Sequence, residues 1–230
     1  MNKIKHSIQD LLKTRVLLLD GSMGVMIQNK NLDESQFRGT VFTNHPQPLK
    51  GNNDILCLTN PEVIASIHRD YLEAGANIIE TNTFNGTVIS QKEYCTEHLV
   101  EEINLAGARI AKAEVQRYST AEHPRFVAGS MGPTGVAASM SADINDPASR
   151  SISFIEMSEA FYCQAKALIN GGVDLLLIET IFDTLNAKAA IEGARRAMKE
   201  LNVELPIILS ITISDQSGRI LSGHTPEACL

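Results

Sequence analysis

Residues 173–180 read VDLLLIET, an almost continuous apolar run that ends on a carboxylate and a hydroxyl group. Runs of this kind are typical of strands that are buried on both faces in a parallel sheet. Gly171 and Gly172 precede the run, and glycine often ends a helix because it readily adopts the left-handed backbone conformation. The sequence therefore predicts a helix that ends at these glycines, followed by a buried strand that ends on Glu179.

The same alternation of helix and strand extends along the whole chain. Four more apolar runs predict strands at residues 16–19, 76–79, 126–128 and 206–213. Apolar residues at helical spacing separate them, over residues 64–74, 99–113, 161–168 and 187–201. Such alternation predicts a parallel sheet flanked by helices. No linker interrupts the pattern, so we expect one α/β domain over residues 1–230.

Two internal segments and the end of the chain depart from this pattern. Residues 28–60 and 131–150 are rich in glycine, proline and asparagine, which predicts two long loops. Residues 225–227, TPE, resemble a helix start, with threonine at the N-cap and proline at the first helical position. Only three residues follow, so the domain is expected to be incomplete at its C-terminus.

Composition excludes several classes of partner. The formal net charge is −7 and the basic residues form no long run, so a nucleic-acid partner is not expected. No apolar run is long enough for a membrane span.

At the N-terminus, Ile4, Ile8, Leu11 and Leu12 fall on one helical face, which predicts a short helix under the first strand rather than a targeting peptide. We therefore expect a cytoplasmic protein.

The cysteine pattern indicates no metal or redox motif. None of the four cysteines belongs to a CxxC motif or an adjacent pair. Cys95 and Cys163 fall in segments predicted to be helical. We therefore expect neither a zinc knuckle nor a disulfide framework from Cys57, Cys95, Cys163 and Cys229.

Polar residues follow each predicted strand. In parallel barrels the active site is built at the carboxyl ends of the strands. Asp20 and Glu179 come directly off apolar runs and are predicted to point into the barrel mouth. Carboxylates there could hold a substrate ammonium, bind a metal, or act as acid and base. Glu80 is a weaker candidate, because Thr81 and Asn82 could occupy the mouth instead.

Glycine turns follow two of the same strands. Residues 21–24, GSMG, and 132–135, GPTG, could present backbone N–H groups to an anion. Neither matches a P-loop or a dinucleotide-binding fingerprint. Composition and pattern alone thus predict a barrel-type enzyme domain with an acidic mouth that favours amines.

Longer strings at these strand ends resemble the homocysteine S-methyltransferase family. Within that family they closely resemble the N-terminal homocysteine-binding module of cobalamin-dependent methionine synthases. The likeness runs from about residue 10 to the last residue. The strings are LDGSMG (19–24), KGNND (50–54), ETNTFN (80–85), GPT (132–134), IETIFDTLNAKAA (178–190) and SGRILSG (217–223).

The resemblance implies a (β/α)8 TIM-type barrel, of which this chain carries about the first five units. Zinc held by three cysteines would activate the homocysteine thiol as a thiolate, which would take a methyl group from methylcobalamin to form methionine. Asp20 and Glu179 would hold the substrate amino group. Gly21 and neighbouring backbone amides would receive the carboxylate, and Thr83 would help line the pocket.

Departures from the family pattern limit these expectations. The zinc-binding turns of the family, Gly-x-Asn-Cys and Gly-Gly-Cys-Cys, do not occur here, and Ser22 replaces a second glycine. We therefore expect no catalytic residue, no bound metal or cobalamin, and no turnover from this chain alone. Cobalamin- and folate-binding modules, or a companion chain, would supply the rest.

Three other interpretations remain open. The methyl donor could instead be betaine or S-methylmethionine. The chain could be a non-catalytic half-barrel that assembles with a second polypeptide. An unrelated barrel could use Asp20 and Glu179 for aldol or hydrolytic chemistry, but the motif strings would then be a coincidence.

Overall fold

A computed structural model describes residues 8–229 except residues 142, 144 and 147. The strands are β1 (Ile78–Glu80), β2 (Phe126–Met131), β3 (Leu175–Ile181) and β4 (Ile207–Ile211). The five longer helices are α2 (Met23–Asn29), α5 (Pro61–Ala74), α7 (Val100–Tyr118), α8 (Phe154–Gly171) and α9 (Thr184–Glu200). The shorter ones are α1 (Ile8–Leu12), α3 (Glu34–Arg38), α4 (Leu56–Thr59), α6 (Val88–Gln91) and α10 (Pro226–Cys229). Single 3-10 turns cover Asn53–Ile55, Lys92–Tyr94 and Glu97–Leu99.

The four strands form one parallel sheet in the order β1-β2-β3-β4. Ile79 pairs with Val127, Ala128 with Leu175, and Leu177 with Ile208. Because each strand lies beside its predecessor in sequence, α7, α8 and α9 each connect neighbouring parallel strands. The mixed α/β arrangement is confirmed, and it is consistent with part of a TIM-type barrel.

The predicted first strand, residues 16–19, does not form a regular strand. It meets β1 through a single bridge between Leu19 and Ile78. The side chain of Asn77 accepts the Leu18 N–H at 3.0 Å, while the Leu18 carbonyl accepts both the Asn77 and Ile78 N–H groups. This local side-chain bond replaces part of the sheet ladder, so the segment lies along β1 without extended pairing.

The two faces of the sheet pack against different elements. On one face Ile79, Val127 and Leu176 belong to the core that includes Ala108, Phe161 and other residues of α7, α8 and α9. On the opposite face the packing is apolar near the amino ends of the strands, where the residues in contact are Ile78, Phe126, Ala128, Leu175, Leu177 and, from α1, Ile8 and Leu11. The predicted N-terminal helix is present, and it packs against the strands of the sheet rather than under a regular first strand.

Two details of the predicted helix ends need correction. Leu12 of α1 is exposed rather than buried, and Ile4 lies outside the described residues. Gly75 and Gly172 end their helices in the left-handed conformation, as predicted. Gly171 instead belongs to α8, where a Cβ would lie 2.3 Å from that of Ala108. Its role is therefore the close approach of α8 to α7.

Residues 28–60 are more ordered than a long loop. They contain α3, α4 and part of α2, and α3 begins with a capping box formed by Asp33 and Gln36. Glu34 accepts the N–H groups of Leu49 and Lys50 at 2.8 Å each, which fixes the following segment. Among the described residues of 132–150 only the bridge between Asp143 and Asp146 is regular, so this segment is irregular as predicted.

Edge strand β4 is unprotected on its outer side. It pairs with β3 alone among the described strands, and Ile208 and Leu209 are 36% and 41% exposed. An exposed apolar edge strand is a template for pairing with another chain. The structure therefore has an association-prone edge at β4.

We expect the chain to self-associate through β4 and Leu209→Lys to reduce this association, since a charge on the edge opposes strand pairing. Light scattering coupled to size exclusion would show a concentration-dependent mass that falls in the variant. Val203→Lys, at an apolar residue of similar exposure outside the strand, is the control. Equal masses for both variants would count against edge pairing.

Candidate functional site

An open cleft of about 490 Å³ lies at the carboxyl ends of β1, β2 and β3. None of the described residues that line it is Lys, Arg or His. The lining includes four carboxylates, so the cleft favours a positively charged group. The carboxylates are Asp20, Asp54, Glu80 and Glu179, and the other lining residues are Gly21, Ser22, Met23, Gly24, Asn53, Thr81, Asn82, Phe84, Asn85 and Ser130.

Strand alternation places three of the polar side chains in this cleft. Successive side chains of a strand point to opposite faces. Ile78, Ala128 and Leu177 belong to the cluster on the face covered by α1. Glu80, Ser130 and Glu179 each follow one of these by two residues, so they continue the same face beyond its apolar layer. Asp20 and Glu179 both line this cleft, and Glu80 lies there with them.

A β-bulge follows Glu179. Ile178 pairs with Leu209 and Ile181 with Ile211, so β3 advances three residues while β4 advances two. Thr180 takes up the extra residue with φ of 55°, which is rare for a β-branched side chain. As a result Ile181 returns to the helix-packed core that contains Ile178. The bulge lets Glu179 face the cleft while α9 still begins against the sheet.

Hydrogen bonds hold two of the three carboxylates Asp20, Glu80 and Glu179. Asp20 Oδ2 accepts the Glu80 N–H at 3.0 Å, whereas the buried Oδ1 has no partner among the described residues. Ser130 donates its hydroxyl hydrogen to Glu179. Thr83, in turn, donates to the Ser130 carbonyl at 2.8 Å. These bonds connect the ends of β1, β2 and β3.

Burial makes ionisation of all three carboxylates unfavourable. It raises the pKa of Asp20 to about 7, and the charge of Glu179 adds to the effect. It raises the pKa of Glu80 to about 8, with further contributions from Glu179 and Asp20. The pKa of Glu179 is also raised by burial, although the bond from Ser130 opposes the shift. An acidic site without a cation therefore retains protons near neutral pH.

Gly21 and Thr83 occupy different layers of the site. Gly21 lines the cleft, and a Cβ there would lie 3.1 Å from the Tyr71 hydroxyl oxygen. The hydroxyl of Tyr71 donates to the Ser22 carbonyl at 3.3 Å, and Ser22 caps α2. Thr83 is fully buried beneath the cleft, where its hydroxyl group lies 2.6 Å from that of Thr81. Roles for Gly21 and Thr83 in substrate binding remain predictions.

Comparison with known proteins decides the family. The family model for homocysteine S-methyltransferase matches residues 17–230, which is most of the chain. The chain belongs to the homocysteine S-methyltransferase family. The expectation drawn from the motif strings is thereby confirmed at the level of the family.

Solved structures agree on the fold. The homocysteine methyltransferase MmuM from Escherichia coli, in its oxidised form, is 21% identical with a TM-score of 0.68. Its metallated form is 22% identical with a TM-score of 0.67; both alignments cover 94% of this chain and 69% of the other. The apo form is 22% identical with a TM-score of 0.61, covering 94% and 66%. At this identity the likeness establishes the fold alone.

The family string at residues 50–54 contributes a carboxylate that sequence reasoning missed. Asp54 is buried, lines the cleft and accepts the Asn85 N–H at 2.8 Å. The preceding Asn53 carbonyl accepts the Asn82 side chain at 2.7 Å. Burial raises the pKa of Asp54 to about 7. Apart from the family string, the one feature of the sequence that indicates Asp54 is its position directly before the apolar residues 55–58.

The family string at residues 178–190 supports the cleft through its neighbouring loop. Asp183 accepts both the N–H and the hydroxyl of Ser139, at 3.1 and 2.6 Å, and it caps α9 through the Leu185 N–H. Asn186 accepts the Ala138 N–H at 2.9 Å and donates to the Val136 carbonyl at 2.9 Å. These residues fasten the segment after β2 to the start of α9.

The cysteines of this homocysteine S-methyltransferase chain do not form a metal centre within the part that the structure describes. No group of three or more His, Cys, Asp or Glu side chains suited to a metal occurs there. Cys57 is buried, and burial, with the charge of Asp54, raises its thiol pKa to about 12. Cys163 is exposed on α8, and Cys95 lies in a left-handed turn rather than in the predicted helix. The residues present therefore do not fit a zinc ion.

Across the described residues, every helix is too short or too polar to span a bilayer.

We expect Asp54→Asn to stabilise the protein at pH 8 more than at pH 5. The folded-state pKa of about 7 exceeds the ordinary aspartate pKa of 3.8. The stability that protonated Asp54 contributes is therefore present below about pH 4 and lost as the pH rises to about 7. Asn keeps the acceptor for the Asn85 N–H and removes the buried charge, with a gain of up to about 4 kcal/mol. Urea unfolding at several pH values measures the effect.

The exposed Asp70→Asn is the matched control. A gain that does not depend on pH would show that burial does not raise the pKa of Asp54 and that its charge is well compensated in the folded protein.

Proposed function

We propose that the cleft binds homocysteine, with Asp20 and Glu179 holding its protonated amino group. The observation that carries this proposal is the convergence of Asp20, Glu80 and Glu179 at the carboxyl ends of parallel strands, in a cleft that no described Lys, Arg or His side chain lines. An amino acid at neutral pH brings the cation that such a cleft lacks. Membership of the homocysteine S-methyltransferase family gives the identity of that amino acid.

The remaining contacts follow from the family resemblance. Gly21 and adjacent backbone amides would receive the substrate carboxylate. This is supported by the position of Gly21 on the cleft wall beside Asp20. Thr83 would help line the pocket. Its hydroxyl donates to the carbonyl of Ser130, the residue that donates to Glu179.

We further propose that the protein serves methionine formation of the methionine synthase type, with methylcobalamin as donor. The string at residues 178–190 favours this over betaine- or S-methylmethionine-dependent transfer. The proposal includes a complete (β/α)8 barrel, of which the described sheet is a part, and a cytoplasmic location. Cobalamin- and folate-binding modules, or a companion chain, would be the partners.

Glu179→Gln should weaken homocysteine binding by about tenfold to a hundredfold, since a charge-assisted hydrogen bond to the ammonium becomes a neutral one. Gln can still accept the hydroxyl of Ser130, so the fold is retained. Calorimetric titration with L-homocysteine under reducing conditions measures the affinity, and Glu204→Gln, at an exposed residue after α9, is the control. Unchanged affinity in Glu179→Gln would remove this residue from the site.

The chain on its own should retain no stoichiometric zinc, because its described cysteines are dispersed. Elemental analysis after dialysis against zinc, with a thiol-reactive dye to count free cysteines, measures this. One zinc per chain together with loss of dye-reactive thiols would contradict the expectation and would locate a cysteine site within this chain.

A further inference from the structure

Glu80 differs from the other two central carboxylates of the cleft. Asp20 accepts a backbone N–H and Glu179 accepts the Ser130 hydroxyl hydrogen. The Glu80 carboxylate accepts no hydrogen bond from any described residue, although its own N–H is the donor to Asp20. Hydrogen-bond donors stabilise the charged form of a carboxylate. Of the three groups, Glu80 is therefore the one on which a proton costs least.

Among the described residues, those that surround Glu80 in the cleft supply negative charge and no positive charge. Asp20, on the segment before α2, and Glu179, on β3, act on Glu80 through their charges. Tyr71 of α5 faces Asp20 and Glu80. Asp54, in the 3-10 turn before α4, lines the same cleft. Like charges at this proximity in a partly buried site do not all ionise together.

We propose that Glu80 holds a proton in the empty cleft and releases it when a substrate ammonium binds, so that amino-acid binding is coupled to proton release. The ammonium takes the position between the carboxylates, Glu80 ionises, and its proton passes to solvent. Charge balances, because one cation replaces one proton. This inference rests on the proposed function, and it assigns to Glu80 a role in specificity: the site accepts a cationic amino group and gains little from a neutral ligand.

The coupling has a defined pH dependence. Below the pKa of Glu80, which is about 8 in the folded protein, the binding constant should rise by up to about tenfold per pH unit, as expected when one proton leaves for each ligand bound. Glu80→Gln mimics the protonated state. It should therefore show a flatter profile and a lower affinity near pH 8, and its affinity should approach that of the unchanged protein near pH 6.

The test is calorimetric titration of the whole chain in buffers of different ionisation enthalpy, which counts protons released per ligand. L-Methionine is the probe, because its thioether has no ionisable proton and any proton counted comes from the protein. L-Homocysteine is titrated in parallel. We expect about one proton released near pH 7, at least a twofold smaller release in Glu80→Gln, retention of release in Glu80→Asp, and no change in the exposed Glu204→Gln.

The outcomes separate this inference from the proposed function. If homocysteine binds and Glu80→Gln releases as many protons as the unchanged protein, the role of Glu80 is overturned while the proposed function stands. If the unchanged protein binds either amino acid without releasing protons, the inference is likewise overturned. If neither amino acid binds, the proposed function fails and the inference fails with it. A role of Glu80 in the fold alone would leave the proton count unchanged at matched stability.

Discussion

Hydroxyl groups tie together the strand ends that carry the cleft. The Ser130 N–H donates to the Thr81 side chain at 2.9 Å, and the Thr83 hydroxyl donates to the Ser130 carbonyl at 2.8 Å. Ser130 then donates to Glu179. Where the sheet ladder ends, buried backbone groups must find other partners, and here short side chains provide them. The same bonds that satisfy the backbone therefore fix the position of Glu179, a carboxylate that lines the cleft.

The buried carboxylates of the cleft destabilise the folded protein while they favour binding of a cation. Ionisation of a buried carboxylate with a raised pKa destabilises the folded protein. The described residues that line the cleft include several such carboxylates and no Lys, Arg or His. Thr180 adds a left-handed residue directly after Glu179. Strain and unfavourable charge concentrated at one place are typical of functional sites, where a ligand offsets them. The ammonium of an amino acid is a ligand of the right charge for that role.

Much of the fold could be predicted from the sequence because long periodic segments determine it. The strands β1 to β4 and helices α5, α7, α8 and α9 all came from apolar runs and helical spacing. What failed depends on single side chains. In place of a regular first strand, the Leu18 N–H bonds to the Asn77 side chain and the Glu80 N–H bonds to the Asp20 side chain. A capping box at Asp33 begins a helix within a segment rich in turn residues. Neither effect changes the hydrophobic pattern.

The candidate site was predictable to a similar extent, and for a related reason. Asp20 and Glu179 follow apolar runs, so strand direction alone places them at the carboxyl edge. Asp54 reaches the cleft from a single 3-10 turn, which no periodicity reveals. Glu80 is distinguished by a carboxylate that accepts no hydrogen bond from any described residue. This property depends on the folded surroundings of Glu80, so its position in the sequence does not reveal it.

The family strings bear unequally on substrate and donor. Asp183 and Asn186 bind the loop after β2, and Asn53 and Asp54 bind the turn after β1. Residues that hold these loops determine the shape of the cleft, whichever methyl donor reaches it. The strings therefore support a homocysteine cleft more strongly than they support any one methyl donor. The choice of methyl donor depends on residues that contact the donor. The hydrogen bonds of Asn53, Asp54, Asp183 and Asn186 are not contacts of that kind.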